Sequence, residues 1–255
     1  MPAHVPDWIG VLPVAHRGLH DKAAGRLENT LSAIRAAAEA GFAIEIDVQP
    51  SRDRRAMVFH DLTLDRLTEA TGRIDTFSAE DLGKLAVGGT TDTIPTLAEV
   101  LAEIDGRVPL YVEIKHDVPN DGTLEAAVAS DLEGYAGPVA IMSFDPYAVI
   151  AMRRIAPHVV RGIVSETYSD ASEWPHLTAW QRFYMRHILH AAQSRPQFIA
   201  YKVHDIPALA PVLLNTVLGL PLLTWTVRTP EDRERARLVG AQMIFEGFMP
   251  EATAA

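Results

Sequence analysis

Charged side chains of this sequence gather at the ends of short apolar segments. In chain order they are His16-Arg17-Gly18, Glu45 and Asp47, His60-Asp61, and Glu113 and Lys115. Residues two apart in a strand point to the same face, so Glu45 and Asp47 face one way together, as do Glu113 and Lys115. If the segments are parallel strands, all four clusters meet at one rim. Carboxylates, imidazoles and cations at one rim could bind a metal ion, transfer protons and hold an anion.

The three carboxylates, Glu45, Asp47 and Glu113, are expected to converge at this rim. Like charges so close repel strongly unless a cation neutralises them. The chain contains no cysteine, so thiolate ligands are excluded, and oxygen ligands suit Mg²⁺ or Ca²⁺ better than Zn²⁺. Each feature taken singly is more often structural or solvent-facing. Burying so many carboxylates on successive strands without a function would be costly, which favours one divalent cation, Mg²⁺ or Ca²⁺.

Apolar segments alternate with amphipathic ones along most of the chain, which favours a parallel sheet covered by helices. Main strands are predicted at 12–16, 42–48, 108–114, 138–143, 158–164, 197–202, 221–227 and 241–245, with a short extra strand at 57–60. Helices are predicted at 29–40, 79–82, from 96, 123–136, 145–156, 176–192, 207–218 and 230–239. Eight strands predict an α/β fold, a TIM (β/α)₈ barrel formed by one domain over residues 1–255. Residues 62–107 are interpreted as a small insertion after the second strand unit, and the last helix as reduced or missing.

Composition narrows the possible partners. The formal net charge of −10 argues against nucleic acid, since phosphate backbones need a basic face. The N-terminus has neither a basic nor an apolar signal region, and the lack of cysteine fits a reducing compartment, so a cytoplasmic location is expected. Prolines interrupt the apolar stretch 206–227, so no stable membrane insertion is expected. The oligomeric state stays open.

Several short motifs occur together in a characteristic order. They are His16-Arg17-Gly18, Glu28-Asn29-Thr30, Glu45-Ile46-Asp47, His60-Asp61, Ile94-Pro95-Thr96-Leu97, Glu113-Ile114-Lys115, Ser143-Phe144-Asp145 and, more weakly, Trp225-Thr226-Val227. In this order and spacing the chain resembles the glycerophosphodiester phosphodiesterase family. The resemblance implies a TIM barrel with an insertion, and a divalent cation held by Glu45, Asp47 and Glu113. It also implies an acid–base pair, His16 and His60, and substrate binding by Arg17, Lys115 and Trp225.

The resemblance predicts a hydrolase that cleaves a small-molecule glycerophosphodiester to sn-glycerol 3-phosphate and an alcohol. Cation and arginine can neutralise the phosphate, and one histidine can deprotonate the attacking hydroxyl while the other protonates the leaving oxygen. The sequence leaves open which histidine is the acid, whether water or a glycerol hydroxyl attacks, and which alcohol leaves. The alternatives are a lysophospholipase D-like lipid phosphodiesterase and, less favoured, a non-catalytic phosphodiester-binding barrel.

The chain departs from the family pattern near its last two strands. Arg228 follows Trp225-Thr226-Val227 where the family usually has asparagine, and residues 242–247 replace the usual Asp-Gly-Ile-Ile-Thr-Asp. Arg228 is interpreted as a surface arginine at a helix start, with a substrate contact as the alternative. Lys202 is either a second phosphate contact or a rim charge. A smaller departure is Leu27, where the family usually has proline.

Overall fold

The computed structural model describes residues 5–115 and 121–250. Eight parallel strands close into a barrel because β1 pairs with both β2 and β9. The strands are β1 (Val14–Ala15), β2 (Ala43–Pro50), β3 (Ala56–Val58), β4 (Leu110–Ile114), β5 (Val139–Ser143), β6 (Val160–Ser165), β7 (Phe198–Lys202), β8 (Leu222–Val227) and β9 (Gln242–Phe245). Of the strands in these two ranges, only β3 lies outside the barrel, antiparallel to β2. The predicted TIM barrel is confirmed.

Helices cover the outside of the barrel. They are α1 (Leu31–Glu39), α2 (Ala79–Leu82), α3 (Leu97–Ile104), α4 (Thr123–Leu132), α5 (Pro146–Ile155), α6 (Ala179–Arg186), α7 (Ala191–Ser194), α8 (Leu209–Leu218) and α9 (Pro230–Leu238). Threonine side chains cap the N-termini of α1, α3, α6 and α9 by accepting a backbone N–H, the usual way to satisfy a helix start. None of the described helices is long and apolar enough to cross a membrane.

Large aromatic side chains fill the inside of the barrel. Tyr111 and Phe198 meet edge to face with ring centroids 5.5 Å apart, and Trp8 packs on Tyr111 from below. Gly162 makes room for them, because a Cβ at this position would lie 2.3 Å from the Phe198 ring. These side chains therefore pack the interior of the barrel.

A second, small hydrophobic core lies beside the barrel, and we name it the insertion core. It consists of Met57, Phe59, Leu64, Ile74, Leu82, Val87 and Ile94. These residues fall in and around the predicted insertion, residues 62–107. The helix at the end of that segment, α3, instead packs in the main core together with α1, so it belongs to the outer layer of the barrel.

The predicted helix 176–192 is two helices in the structure, α6 and α7, and the prediction of one continuous helix is wrong. The chain breaks at Ile188, which has a left-handed φ of 51°. This turn buries the Ile188 side chain among residues of β6, β7 and β8, and it also buries His190. Burial of these two side chains overrides the local helical pattern. After β9, the described residues 246–250 contain no helix, in agreement with a reduced or missing last helix.

Candidate active site

The carboxyl ends of the barrel strands surround a cavity of about 270 Å³. All eight residues that the family resemblance assigns to cation binding, acid–base catalysis and substrate binding line this cavity, namely His16, Arg17, Glu45, Asp47, His60, Glu113, Lys115 and Trp225. They come from β1, β2, β4, β8 and the segment after β3. The structure therefore brings the whole predicted set to one place, while the role of each residue stays a prediction.

A tight turn after β1 aims the first two of these residues into the cavity. Arg17 has a left-handed φ of 55° and Gly18 follows with a φ of 81°. A Cβ on Gly18 would lie 2.9 Å from the Ala33 backbone of α1, so only glycine fits here. The turn directs the Arg17 backbone N–H to Glu45 Oε2 at 2.9 Å. The motif His16-Arg17-Gly18 is thus explained by the geometry of the turn.

The segment before α1 holds the second strand's acid in place. Asn29 also has a left-handed φ, 59°, and its Nδ2 donates to Asp47 Oδ2 at 3.0 Å. Its Oδ1 accepts the backbone N–H of Asp47 at 3.2 Å. Thr30 caps α1, and Glu28 accepts from Arg17 Nη1 at 2.7 Å. Each residue of Glu28-Asn29-Thr30 therefore has its own structural partner.

Glu45, Asp47 and Glu113 each present an oxygen within 4.8 Å of the others, and all three are buried. Glu45 Oε1 is buried and has no hydrogen-bond partner among the described residues. Burial, followed by the charges of Asp47 and Glu113, raises the pKa of Glu45 well above its usual range. An orphaned acceptor facing two other carboxylates is what a hard cation would satisfy, so these residues fit a Mg²⁺ or Ca²⁺ site.

Lys115 lies against this cluster. Its Nζ is 2.7 Å from Glu113 Oε1 and 3.1 Å from Asp47 Oδ1. Burial disfavours the ammonium, but the two carboxylates outweigh it and raise the pKa of Lys115. Burial likewise favours protonated Asp47, but Lys115 and Arg17 hold the pKa of that carboxyl far below its usual range. Two cationic side chains and an ionised Asp47 therefore lie side by side at the cavity floor.

Each of the two histidines is held by a carboxylate at Nδ1. His16 Nδ1 hydrogen-bonds Glu246, and His60 Nδ1 lies 2.7 Å from Asp61 Oδ1. The His16 Nε2 atom faces inward, 3.9 Å from Glu45 Oε2. Burial, together with the charge of Arg17, lowers the pKa of His16, although Glu246 acts in the opposite direction. A carboxylate on Nδ1 fixes the tautomer and leaves Nε2 for proton transfer.

A chain of ion pairs links the two halves of the site. Arg17 contacts Glu28, which lies 2.7 Å from Arg66 Nη2. Arg66 Nε in turn lies 2.5 Å from Asp61 Oδ2, and Asp61 holds His60. Arg66 belongs to the predicted insertion, so this segment helps to set the position of His60.

Glu246 is the main residue that sequence reasoning did not assign. Besides His16, it lies 3.5 Å from His20 Nε2 and accepts from Arg228 Nε at 2.6 Å. Burial would raise its pKa, but His16, His20 and Arg228 together hold the pKa of Glu246 below its usual range. Arg228 and Glu246 lie in the two segments near the last strands where the chain departs from the family pattern. The residues at these two departures therefore contact each other. Arg228 is 54% exposed at its side chain and lines the cavity.

Aromatic side chains form part of the cavity wall. The Phe144 ring meets Trp225 edge to face with centroids 5.3 Å apart, and it lies tilted against Trp174 with centroids 5.4 Å apart. Trp225 Nε1 is buried without a hydrogen-bond partner in the described part of the chain. Lys202 lines the rim, where its Nζ pairs with Glu166 Oε2 at 2.7 Å. The cavity therefore has one charged face and one apolar face.

An anionic phosphate ester needs its charge neutralised and its leaving oxygen protonated before it can be hydrolysed. The barrel mouth holds groups for both tasks within one cavity. The fold and the site together define a TIM-barrel hydrolase of phosphate esters.

The model of the glycerophosphoryl diester phosphodiesterase family matches residues 16–249, and the chain belongs to this family. The family predicted from the motifs is confirmed, and so is the enzyme class, a phosphoric diester hydrolase.

Relatives that align over most of this chain support the assignment. The chain is 29% identical over 243 residues to a glycerophosphodiester phosphodiesterase of Caldanaerobacter subterraneus subsp. tengcongensis. This alignment covers 91% of this chain and 92% of that protein. The chain is 26% identical to the bovine glycerophosphodiester phosphodiesterase 1, over 95% of this chain and 80% of that protein. An Oleispira antarctica phosphodiesterase, solved with its product sn-glycerol-3-phosphate, has a TM-score of 0.75 at 24% identity and covers 92% of this chain and 93% of its own. This last likeness concerns the fold.

Proposed function

We propose that this protein hydrolyses glycerophosphodiesters to sn-glycerol 3-phosphate and an alcohol, with one divalent cation and two histidines. The observation that carries the proposal is the pairing of three converging carboxylates with two imidazoles held at Nδ1 in one cavity. A binding barrel without catalysis would have no use for two imidazoles fixed in this way.

The cation would be held by Glu45, Asp47 and Glu113, and when bound it supplies charge neutralisation at the phosphoryl oxygens. Arg17 offers a planar guanidinium at the same floor, and Lys115 offers an ammonium, so both can bind non-bridging oxygens of the substrate. These side chains hold the phosphorus in place between His16 and His60.

The two histidines supply proton transfer. One Nε2 takes the proton of the attacking hydroxyl, and a new P–O bond forms as the P–O bond to the alcohol breaks. The other Nε2 gives a proton to the departing oxygen, so the alcohol leaves neutral. Attack by water gives the phosphate monoester directly, whereas attack by the substrate's own glycerol hydroxyl gives a cyclic phosphodiester that a water molecule then opens to the monoester. Glu246 and Asp61 keep each ring in the orientation that this exchange requires.

The side chains of the cavity wall influence which alcohol the substrate can carry. Phe144 and Trp225 offer apolar surface beside the charged floor. A volume of about 270 Å³ accommodates a glycerophosphate group, and a long acyl chain would have to extend out of it. This favours a deacylated substrate over a lysophospholipid.

The decisive assay uses metal-stripped protein, then protein restored with Mg²⁺ or Ca²⁺, on glycerophosphocholine, glycerophosphoethanolamine and lysophosphatidylcholine. We expect activity only after restoration, with glycerol 3-phosphate as the phosphorylated product and the lysophospholipid cleaved least. Release of phosphocholine in place of glycerol 3-phosphate would overturn the assignment of the bond broken. Full activity after thorough chelation would overturn the cation.

A further inference from the structure

A buried arginine lies at the end of the barrel opposite to the active site. Arg161 is the second residue of β6, whereas the active-site cavity opens at the carboxyl ends of the strands. Ile163, two residues further on, packs between the sheet and the helices, so Arg161 points to the same outer face. The residue is only 6% exposed.

The Arg161 side chain has few partners. Nη1 reaches the backbone oxygen of Val159 at 3.4 Å, and Nε is buried with no hydrogen bond. Within residues 5–115 and 121–250, no carboxylate forms an ion pair with it. A buried charge without a counter-ion is costly, and proteins normally pair such groups.

The charged side chains that influence Arg161 most are also positive. Burial lowers its pKa, and the charges of Arg153 and Arg195 lower it further, while no acidic group of the described residues acts in the other direction. Arg153 lies in the last turn of α5, and Arg195 follows α7 and is exposed. Neither of them forms an ion pair in the described part of the chain. Gln197, two residues after Arg195, donates its backbone N–H to the Arg161 oxygen at 2.8 Å, and α5 packs against β6. Three guanidinium groups without an ion pair in the described residues therefore lie near one another in a protein whose net charge is −10.

We propose that Arg153, Arg161 and Arg195 form an anion-binding site that takes a phosphate group, either inorganic phosphate or a small phosphate monoester. A tetrahedral oxyanion can accept hydrogen bonds from several guanidinium groups at once, and such charge-assisted bonds are among the strongest in proteins. The unpaired Nε of Arg161 is a donor that no described protein group uses. The site is separate from the catalytic cavity.

The test separates this site from the active site, which also binds phosphate. The protein variant Arg17→Gln, with its active-site phosphate contact removed, is titrated by calorimetry with inorganic phosphate and with glycerol 3-phosphate, in the presence of chelator and at constant ionic strength. We expect saturable binding in this variant, and binding at least about tenfold weaker when Arg161→Met is added, because a charge-assisted hydrogen bond to the anion is lost. Arg235→Met, an exposed charge change on α9, is the matched control and should leave binding as it is. Comparing the two ligands identifies which phosphate source the site prefers.

Thermal unfolding gives the second arm. Without phosphate, Arg161→Met should melt at or above the wild type, since it removes an unpaired buried charge, and with phosphate the order should reverse. Should Arg161→Met fail to fold, the exposed Arg195→Gln should still weaken phosphate binding. The proposal is overturned if the Arg17→Gln variant shows no saturable binding, or if Arg161→Met and Arg195→Gln bind phosphate as tightly as it does. A loss of catalysis in other variants would not touch this result, so the two proposals can fail separately.

Discussion

In the metal-free protein, the three carboxylates of the predicted cation site lie close together and destabilise the fold. The variant Glu45→Gln tests this effect. Glu45 is 1% exposed, its Oε1 has no partner among the described residues, and Asp47 and Glu113 lie within 4.8 Å of it. Replacing this carboxylate by an amide removes the repulsion and gives Asp47 or Glu113 a donor. In chelator, the variant should therefore be more stable than the wild type, although it has lost a ligand.

The size of the effect follows from the buried acceptor. An unsatisfied buried polar group costs about 1–3 kcal/mol, and a protein of this length gains about 2–4 °C in Tm per kcal/mol. Glu45→Gln should raise the Tm of the metal-free protein by about 2–12 °C. With Mg²⁺ or Ca²⁺ at about 100 times its Kd, the wild type gains about 2.7 kcal/mol, and the variant should then melt below it.

The effect has a defined pH dependence. Because burial and the neighbouring carboxylates raise the pKa of Glu45, the folded metal-free protein keeps its proton to a higher pH than the unfolded chain. The contribution of Glu45 to the stability of the wild type is therefore fully present below the unfolded pKa, about 4.5, and is lost as pH rises through the folded pKa. The advantage of Glu45→Gln should vanish near pH 4.5 and grow toward neutrality.

Scanning calorimetry in chelator, with and without added metal, measures both arms. Glu80→Gln is the control, since its side chain is 81% exposed and such a change should alter stability by less than about 0.5 kcal/mol. The reasoning is refuted if metal-free Glu45→Gln melts at or below the wild type at neutral pH. Equal stabilisation of both proteins by the metal would refute it as well.

Three further outcomes are expected. His16→Ala and His60→Ala should each lower kcat by about 10²–10⁴-fold with unchanged circular dichroism, the usual scale for acid–base groups. Glu246→Gln should lower kcat by about tenfold or more, whereas Arg228→Gln should lower it by no more than a few-fold because the arginine is largely exposed. Burial lowers the pKa of His190 to about 4, so stability should be lost as pH falls from about 6.5 to about 4, by about 3 kcal/mol, and His190→Gln should lose less.

Each of these has a contrary result. Near-normal turnover of either histidine variant on a substrate with a poor leaving group would remove that residue from proton transfer. If the double variant of Glu246 and Arg228 loses much more activity than Glu246→Gln alone, Arg228 has a role besides holding Glu246. An identical pH dependence of urea unfolding in His190→Gln would show that another group titrates in that window.

The barrel and its floor could be predicted because local pattern and topology agree. Apolar strands with a polar residue at the carboxyl end leave little choice once the strands are parallel, since all such ends meet at one mouth. Glu45 and Asp47 were placed together by the two-residue period of a strand, and the structure has them on one face. The tight turn of His16-Arg17-Gly18 likewise depends on residues that are close together in the sequence.

Other features depend on contacts between distant parts of the chain. Glu246 reaches His16 across 230 residues, next to a register shift between β8 and β9, and no local signal announces such a contact. The break at Ile188 follows from burial against β6, β7 and β8, which outweighs a helical pattern that is correct on both sides of it. The pairing of Arg228 with Glu246 explains two departures at once, but only after the last two strands are adjacent.

The insertion core has a practical consequence for how this protein loses activity. His60 directly follows Phe59 of that core, and Arg66 of the same segment leads through Glu28 to Arg17. A small core beside a large one can open while the rest of the fold persists. Gentle heating should then inactivate the protein at a temperature below the collapse of its secondary structure, and cooling should restore turnover. The protein should therefore stay active longer at elevated temperature when its insertion core is stabilised. Further stabilisation of the barrel would change little.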